Sequence, residues 1–399
     1  MTDQRLRLLS LTNAFPPGVI GRFPQWCFHA SHATETRMAQ ALARHAQIST
    51  VGLLAGNMWG KCQSQDDSLG LQHDLVLWER KPELWHRWNS CRQLRRFYLE
   101  RVAREGMPDA VLVRNLTAVF NVFVRWLRQQ KTRPLIVLVL ADTVSLGQPV
   151  PAARRLRYLF KPMQTLENEA ALWYDACIAF GTGTRSFFEA RGTPWMWMPS
   201  AFNFDFELPT PPKPEQGPIR FGYFGGLSNE SAVLPMVRGF LAAAIPGTLH
   251  VCGYGNLSDE MRTLAARHPN IHFDGLLPKQ VDCLAWAQKV DVLINPRLPF
   301  WENSFPSKVF EFAITGKAIL STRIGGVDEV LLHEGLYFDA ANLEDSLREA
   351  LTRVAKMDRA DLQRRGMAIR DRVLREYNWD AQAQRIIEFI RGVIKPGRL

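Results

Sequence analysis

The sequence lacks long apolar runs and clustered cysteines. No stretch reaches the roughly 20 uninterrupted apolar residues of a membrane-spanning helix, and no apolar run near the N-terminus resembles a secretory leader. The six cysteines are scattered, without a C-x-x-C pair or a cysteine–histidine spacing that suits zinc. We therefore expect a cytoplasmic protein with reduced thiols, no bound metal and no resident cofactor.

Several catalytic motifs are also missing. No D-x-D follows a candidate strand, and the chain contains no H-E-x-x-H, P-loop or G-x-S-x-G. The G-Y-G at 253–255 is not a dinucleotide motif, because Ser258 stands where its third glycine belongs. These absences disfavour zinc peptidases, P-loop NTPases, serine hydrolases and NAD-dependent enzymes.

The length of the chain indicates its number of domains, and its charge indicates what kind of partner it binds. The 399 residues exceed what one compact core holds, so two domains are expected. The net charge is +10, and residues 1–210 carry 25 Lys and Arg against 17 Asp and Glu. A basic first half favours an anionic partner, although the charge alone cannot choose among nucleic acid, membrane and phosphorylated substrate. Nucleic acid is disfavoured because no nucleic-acid-binding module accompanies the charge.

Short apolar runs alternate with helical patterns along the chain, which is typical of α/β folds with parallel sheets. Candidate strands such as Leu135–Leu140 and Val292–Asn295 belong to two such series. They predict two doubly wound Rossmann-like domains that face a cleft. We place the first of these domains at 1–200, a proline-rich linker at 201–218, the second domain at 219–378, and a terminal helix at 379–399.

The most informative stretch is residues 291–320. A buried strand leads into a loop, and the spacing predicts a helix that begins near Pro306 and ends before Gly316. Lys308 would lie in the first turn, where a cation opposes the helix dipole unless an anion binds there. Backbone amides of Phe305, Ser307 and Lys308 would then form a diphosphate cradle, with Glu311 one turn on. The alternative is a solvated ion pair between Lys308 and Glu311.

The run SFPSKVFEFAITGKAIL (304–320) resembles the donor site of retaining GT-B glycosyltransferases, the family 4 type of bacterial polysaccharide assembly. Three further segments are similar to strands and glycine turns of its nucleotide-binding domain: FGYFGGLSNES (221–231), HVCGYGN (250–256) and IHFDGLL (271–277). Residues 8–18 resemble the first strand and loop of its N-terminal domain.

The resemblance implies that residues 1–200 bind the acceptor, that residues 219–378 bind the nucleotide sugar, and that the terminal helix at 379–399 packs back on the first domain. It also implies a role for individual residues. Glu311 would bind the ribose, and Lys308 would face the diphosphate as a catalytic cation. Leu276 would lie beside the base. The remaining donor-binding residues would be Gly225, Gly226, Gly253, Ser304, Phe305 and Ser307.

The sequence departs from the family pattern at three places. We align the first acid of the paired-glutamate pattern E-x7-E with Ser304. The cations that often follow the glycine loop fall on Gly226 and Ser231, and a histidine expected after an N-terminal strand is replaced by Asp142. Arg297 is our candidate for a replacement cation, and we group it with Lys308 as catalytic because the departing diphosphate needs electrostatic stabilisation.

Three residues are candidates for the acceptor side: His32, Asp142 and Asn115. Each has a plainer interpretation as a helix-start or strand-end residue. Residues 79–106 combine four aromatic side chains with eight Lys and Arg, which suits an anionic membrane surface. The alternative for this segment is an apolar stripe that faces the core, with a solvated basic face.

We therefore expect a glycosyltransferase of cell-surface polysaccharide biosynthesis that uses a UDP- or GDP-sugar. Its acceptor would be a glycan or a polyprenyl-diphosphate-linked saccharide at the inner face of the plasma membrane. Transfer would proceed with retention and without a metal. Two other functions stay open: a non-catalytic subunit of the same fold that binds a partner, and a nucleotide-sugar epimerase.

Overall fold

The computed structural model describes residues 5–14, 29–55, 72–79, 83–141, 169–202, 208, 216–277 and 279–394. The chain divides into two units: Met1–Met198 together with Trp379–Leu399, and Pro199–Asn378. Most of the linker expected at 201–218 lies outside the described residues. Its first residues, Ala201 and Phe202, are buried, and the Phe202 amide donates to the Tyr377 carbonyl at 3.0 Å within the second unit.

The first unit is built on a seven-stranded parallel sheet in the order β3-β2-β1-β4-β5-β6-β7. Its strands are β1 (Arg7–Thr12), β2 (Gln47–Ala55), β3 (Leu75–Glu79), β4 (Ala110–Arg114), β5 (Leu135–Leu140), β6 (Ala176–Ala179) and β7 (Trp195–Trp197). The helices that follow these strands are α1 (His29–His45), α2 (Glu83–Glu105), α3 (Ala118–Arg128) and α4 (Arg185–Glu189). All six residues of β5 are buried, because helices cover both faces of a parallel sheet.

The second unit has a six-stranded parallel sheet in the order β10-β9-β8-β11-β12-β13. Its strands are β8 (Ile219–Gly226), β9 (Gly247–Tyr254), β10 (Ile271–Gly275), β11 (Val292–Asn295), β12 (Ala318–Thr322) and β13 (Leu336–Phe338). Its helices are α5 (Val233–Ala243), α6 (Ser258–Arg267), α7 (Gln280–Trp286), α8 (Lys308–Ala313), α9 (Val327–Leu331), α10 (Leu343–Val354) and α11 (Arg359–Glu376). Phe221, Phe240, Phe310 and Phe312 are fully buried in this unit.

The last helix, α12 (Trp379–Val393), belongs to the first unit. Asp380 pairs with Arg44 of α1 at 2.7 Å, and Arg385 donates to the Trp197 carbonyl at the end of β7 at 3.1 Å. Trp379 has no exposed surface. The α/β architecture with two Rossmann-like units is the expected one. Among the described residues, no helix combines the length and apolar character needed to cross a membrane.

Candidate functional site

Three strand ends of the second sheet lie next to one another. Gly225 and Gly226 end β8, Gly253 lies near the end of β9, and Leu276 follows β10. Gly225 and Gly253 are direct partners in the parallel register. Because all strands run in one direction, these residues share the carboxyl edge of the sheet, where open α/β sheets bind their ligands.

Two of these glycines are required by their surroundings. Gly225 and Gly253 have φ values of +145° and +152°, which side-chain-bearing residues rarely adopt. A Cβ on Gly253 would overlap the Gly225 carbonyl oxygen, and a Cβ on Gly225 would overlap Nζ of Lys308. The lysine side chain therefore lies directly over the backbone at the end of β8.

Lys308 is held there by an aromatic ring. Its Nζ donates to the Tyr223 hydroxyl at 2.8 Å and lies 4.5 Å from the centre of the same ring. The hydroxyl of Tyr223 donates in turn to the Gly226 carbonyl at 2.9 Å. In the described part of the chain, no carboxylate oxygen lies within 4.0 Å of Nζ. The ion pair between Lys308 and Glu311, the plainer interpretation of the sequence, is therefore not formed.

Part of the loop before Lys308, which was expected to form the phosphate cradle, is buried. The helix α8 begins at Lys308, two residues after Pro306, and Ser307 is exposed. Ser304 and Phe305 are buried, with the Phe305 ring 5.0 Å from that of Phe310. Phe305 thus contributes a packing side chain, and a phosphate contact by its amide stays a prediction.

Glu311 lies on α8, near enough to Cys283 of α7 for its charge to act on that thiol. The pKa of the Cys283 thiol is raised by its hydrogen bond with Cys252, by burial, and by negative charge that includes Glu311. The Cys283 thiol donates to the Leu277 carbonyl at 3.8 Å, just after β10. Leu276 beside it is 61% exposed. One helix thus carries a cation at the end of β8 and a carboxylate nearer the end of β10.

Arg297 contacts an aromatic side chain in the loop after β11. Its guanidinium lies 4.6 Å from the centre of the Trp301 ring. The indole of Trp301 donates to the Glu230 carbonyl at 3.2 Å, which joins this loop to the turn after β8. The expected catalytic role of Arg297 stays a prediction.

One sequence alignment needs correction. In the pattern E-x7-E the first glutamate stands eight positions before the second, which is position 303 when the second is Glu311. Our alignment of the first glutamate with Ser304 is therefore wrong by one residue. Asn303 occupies that position and is 3% exposed. The neighbouring Glu302 accepts from the Gly325 amide at 3.4 Å. Neither Asn303 nor Gly325 was predicted from the sequence as a site residue.

The glycine loop after β8 is closed by hydroxyl groups. Ser231 Oγ donates to the Gly226 carbonyl at 2.8 Å, and Ser228 and Ser231 cap the short helical turn between them reciprocally. The positions where the family often carries cations are thus used for local hydrogen bonds. Lys308 is the cation that lies at this strand end.

The acceptor-side candidates fall in the first unit. Asp142 lies outside the described residues, and for His32 only its place in α1 is described. Asn115 follows β4 with φ of +52°; its amide donates to the Val139 carbonyl, and its side-chain oxygen accepts from the Ala141 amide, both at 2.9 Å. This side chain therefore joins the ends of β4 and β5, the strand-end role that was its plainer interpretation.

The basic segment 79–106 contains the whole of α2, and this helix has two faces. Cys91, Leu94 and Tyr98 are buried against the core. Trp88 and Leu99 are 61% and 54% exposed, and the Arg92 guanidinium lies 5.7 Å from the centre of the Trp88 ring. The core-facing stripe and the exposed basic face are thus both present on the same helix.

The architecture of both units is that of the GT-B glycosyltransferases. Residues 218–357, which hold the glycine strand ends, Lys308 and Glu311, match the family model "Glycosyl transferases group 1". The matched residues lie within the second unit.

Individual relatives agree with this class. Glycogen synthase of Mycobacterium tuberculosis is 27% identical over 194 residues, which are 46% of this chain and 46% of the synthase. The match thus spans less than half the length of this curated relative.

Solved structures match almost the whole chain. Sucrose-phosphate synthase from Thermosynechococcus elongatus has a TM-score of 0.66 at 13% identity, covering 98% of this chain and 99% of that one. The lipopolysaccharide outer core galactosyltransferase WaaB also scores 0.66, at 12% identity, covering 97% and 99%. The Anabaena protein HepE, in complex with UDP and glucose, scores 0.63 at 13% identity, covering 97% and 100%. These likenesses establish the fold.

Proposed function

We propose that this protein is a glycosyltransferase that binds a nucleoside diphosphate sugar at the carboxyl edge of the second sheet. One observation carries the proposal: the ammonium of Lys308 lies on the backbone of Gly225, fixed by Tyr223, and no carboxylate of the described residues pairs with it. A positive charge at a strand end, beside glycines that allow close approach, suits a diphosphate.

We propose that the other donor contacts are made at the same carboxyl edge of the second sheet. Glu311, one helical turn beyond Lys308, would accept hydrogen bonds from ribose hydroxyls, and Leu276 with its exposed side chain would lie against the base. The complex of HepE with UDP and glucose supports a uridine nucleotide as the first candidate, with a guanosine nucleotide as the second.

The reaction that we propose transfers the glycosyl group from the diphosphate oxygen to an acceptor hydroxyl with retention and without a metal. The bond between the anomeric carbon and the diphosphate oxygen breaks, so the nucleoside diphosphate leaves with added negative charge. Lys308 would stabilise this charge, which is the largest electrostatic demand of the reaction. Arg297 would contribute only if it leaves its contact with Trp301.

The donor site is tested by calorimetric titration of UDP and GDP. We expect Lys308→Ala to weaken nucleoside diphosphate binding by about tenfold or more, or about 1.4 kcal/mol, and Glu311→Gln to weaken uridine and UDP alike. Lys356→Ala, which removes an exposed lysine of the same unit, is the matched control and should bind normally.

The outcomes separate the functions that the sequence left open. No binding of either nucleotide by the wild type would favour a non-catalytic, partner-binding subunit. Binding of a nucleotide sugar with inversion of a ring hydroxyl and no transfer would favour an epimerase. Release of nucleoside diphosphate together with glycosylation of an added acceptor would establish the transferase.

For the acceptor we propose a glycan or polyprenyl-diphosphate-linked saccharide at an anionic membrane surface, in cell-surface polysaccharide biosynthesis. Support comes from the exposed face of α2, where Trp88, Arg92 and Leu99 point away from the core. Co-sedimentation with phosphatidylglycerol vesicles should occur at low salt and fall at high salt. Trp88→Ala should reduce it, and equal binding to phosphatidylcholine vesicles would contradict the electrostatic account.

A further inference from the structure

A buried ion pair lies at the carboxyl edge of the first sheet, in the unit that does not contain the donor residues. Arg114 ends β4 and Glu35 lies on α1; each is 3% exposed, and Arg114 Nε lies 3.4 Å from Glu35 Oε1. In the strand order, β1 and β4 are neighbours, and the order reverses between them. This reversal is the place where an open α/β sheet binds a ligand.

Glu35 is firmly fixed at this position. Its Oε2 accepts from the Asn13 amide at 2.7 Å and also from the Thr12 hydroxyl. Thr12 ends β1, so the carboxylate joins α1 to the end of this strand. Its other oxygen is the one that faces Arg114.

Arg114 is incompletely bonded by comparison. Its Nε and Nη1 are buried and have no hydrogen-bond acceptor among the residues that the structure describes, although Glu35 is near. Its guanidinium lies 4.8 Å from the centre of the Phe180 ring, just after β6, and so extends across the end of β5. A buried N–H group without an acceptor is costly, and such groups in native proteins call for an explanation.

We propose that Arg114 binds an oxyanion, a carboxylate or a phosphate, of the acceptor substrate. A guanidinium offers donors in one plane, which match the two oxygens of an oxyanion, and Glu35 acts as a positioning residue for that plane. This inference rests on the proposed function, because it assumes that the first unit holds an acceptor. It narrows the acceptor to a negatively charged saccharide.

The experiment is calorimetric titration of the full chain with three sugars, each with and without saturating UDP. The probes are glucuronate for the carboxylate, glucose 6-phosphate for the phosphate, and glucose as the neutral reference. We expect the wild type to bind at least one anionic probe and not glucose, and Arg114→Gln to weaken that binding about tenfold or more. Arg133→Gln is the matched control, since Arg133 in the same unit already pairs with Asp175 at 2.5 Å.

Several results would overturn the proposal: equal binding of glucose, unchanged binding by Arg114→Gln, or an equal loss in Arg133→Gln. If Arg114→Gln does not fold, hydrogen exchange of the wild type decides. The amides of 110–116 and 8–14 should then exchange more slowly with the anionic probe than with glucose, and equal exchange contradicts the assignment. UDP that binds while neither anionic sugar does would refute this inference and leave the donor site intact.

Discussion

The ammonium of Lys308 and the hydroxyl of Tyr223 lie 2.8 Å apart, joining α8 to β8 across 85 residues of sequence. Tyr223 is 1% exposed, so its ring has a fixed place in the core of the second unit. The lysine is thus placed by the sheet instead of by its own helix. A charge fixed before the ligand arrives loses little rotamer freedom on binding, which favours affinity.

Tyr223→Phe should therefore weaken diphosphate binding specifically. Removing the hydroxyl frees Lys308 Nζ from its fixed place, and we expect UDP to bind about three- to tenfold more weakly, or about 0.6–1.4 kcal/mol. Uridine, which lacks the diphosphate, should bind as before. Calorimetry measures both, with Tyr174→Phe as control because Tyr174 loses a comparable buried bond, to Asn121 at 2.8 Å, in the other unit. An equal loss for uridine would indicate a merely structural role.

Two adjacent glycines offer a paired test of the same site. Gly225→Ala introduces a Cβ that overlaps Lys308 Nζ at a φ of +145°, so we expect about 1–3 kcal/mol of lost stability and impaired UDP binding. A Cβ on Gly226 meets no atom within 4 Å, so Gly226→Ala should change stability by less than about 0.5 kcal/mol. Urea unfolding and UDP titration of both variants check this. Equal effects at the two positions would mean that Lys308 does not lie over Gly225.

Much of the fold could be predicted because buried parallel strands are continuous apolar runs. The strands Leu135–Leu140 and Val292–Asn295 were predicted with the bounds that the structure gives. Strands β3 and β13 were missed: Leu336–Phe338 has only three residues, too few for a periodic pattern. The helix Leu343–Val354 is also visible in the sequence, because its apolar face repeats with helical spacing.

The site was less accessible to sequence reasoning. Local spacing identified Lys308 and Glu311, since both lie on one short helix. Tyr223 could not be identified as the partner of Lys308, because a pairing across the sheet leaves no local pattern. The same holds for Glu35 and Arg114, which are separated by 79 positions and meet only when α1 packs at the end of β4.

A stacked histidine pair on the second sheet makes its stability depend on pH. The rings of His250 and His272 lie 4.5 Å apart at 25°, on the neighbouring strands β9 and β10. Burial, with a contribution from His272, lowers the pKa of His250 below its ordinary value of 6.5. The unfolded chain therefore binds a proton first as the pH falls, so folded-state stability is full above 6.5 and decreases below it.

Thermal unfolding at pH 7.5 and 5.5 measures this dependence. Between pH 7.5 and 5.5, we expect the Tm of the wild type to fall further than that of His250→Gln. This variant keeps a hydrogen-bonding group near Thr248 but cannot take up a proton. His268→Gln, at the end of α6, is the control and should keep the full loss. An equal loss of Tm in His250→Gln and the wild type would assign the pH dependence to other groups.

The terminal helix α12 should be essential for the stability of the first unit, although it follows the second unit in the sequence. Trp379 begins α12 and has no exposed surface, so Trp379→Ala should cost about 3–5 kcal/mol. Trp88→Ala removes an equally large side chain that is 61% exposed, and we expect a change below about 1 kcal/mol. Hydrogen exchange locates the effect: in Trp379→Ala, amides of α1 and β2 should exchange faster, while those of β11 and β12 should not. Faster exchange in β11 and β12 alone would contradict the assignment of α12 to the first unit.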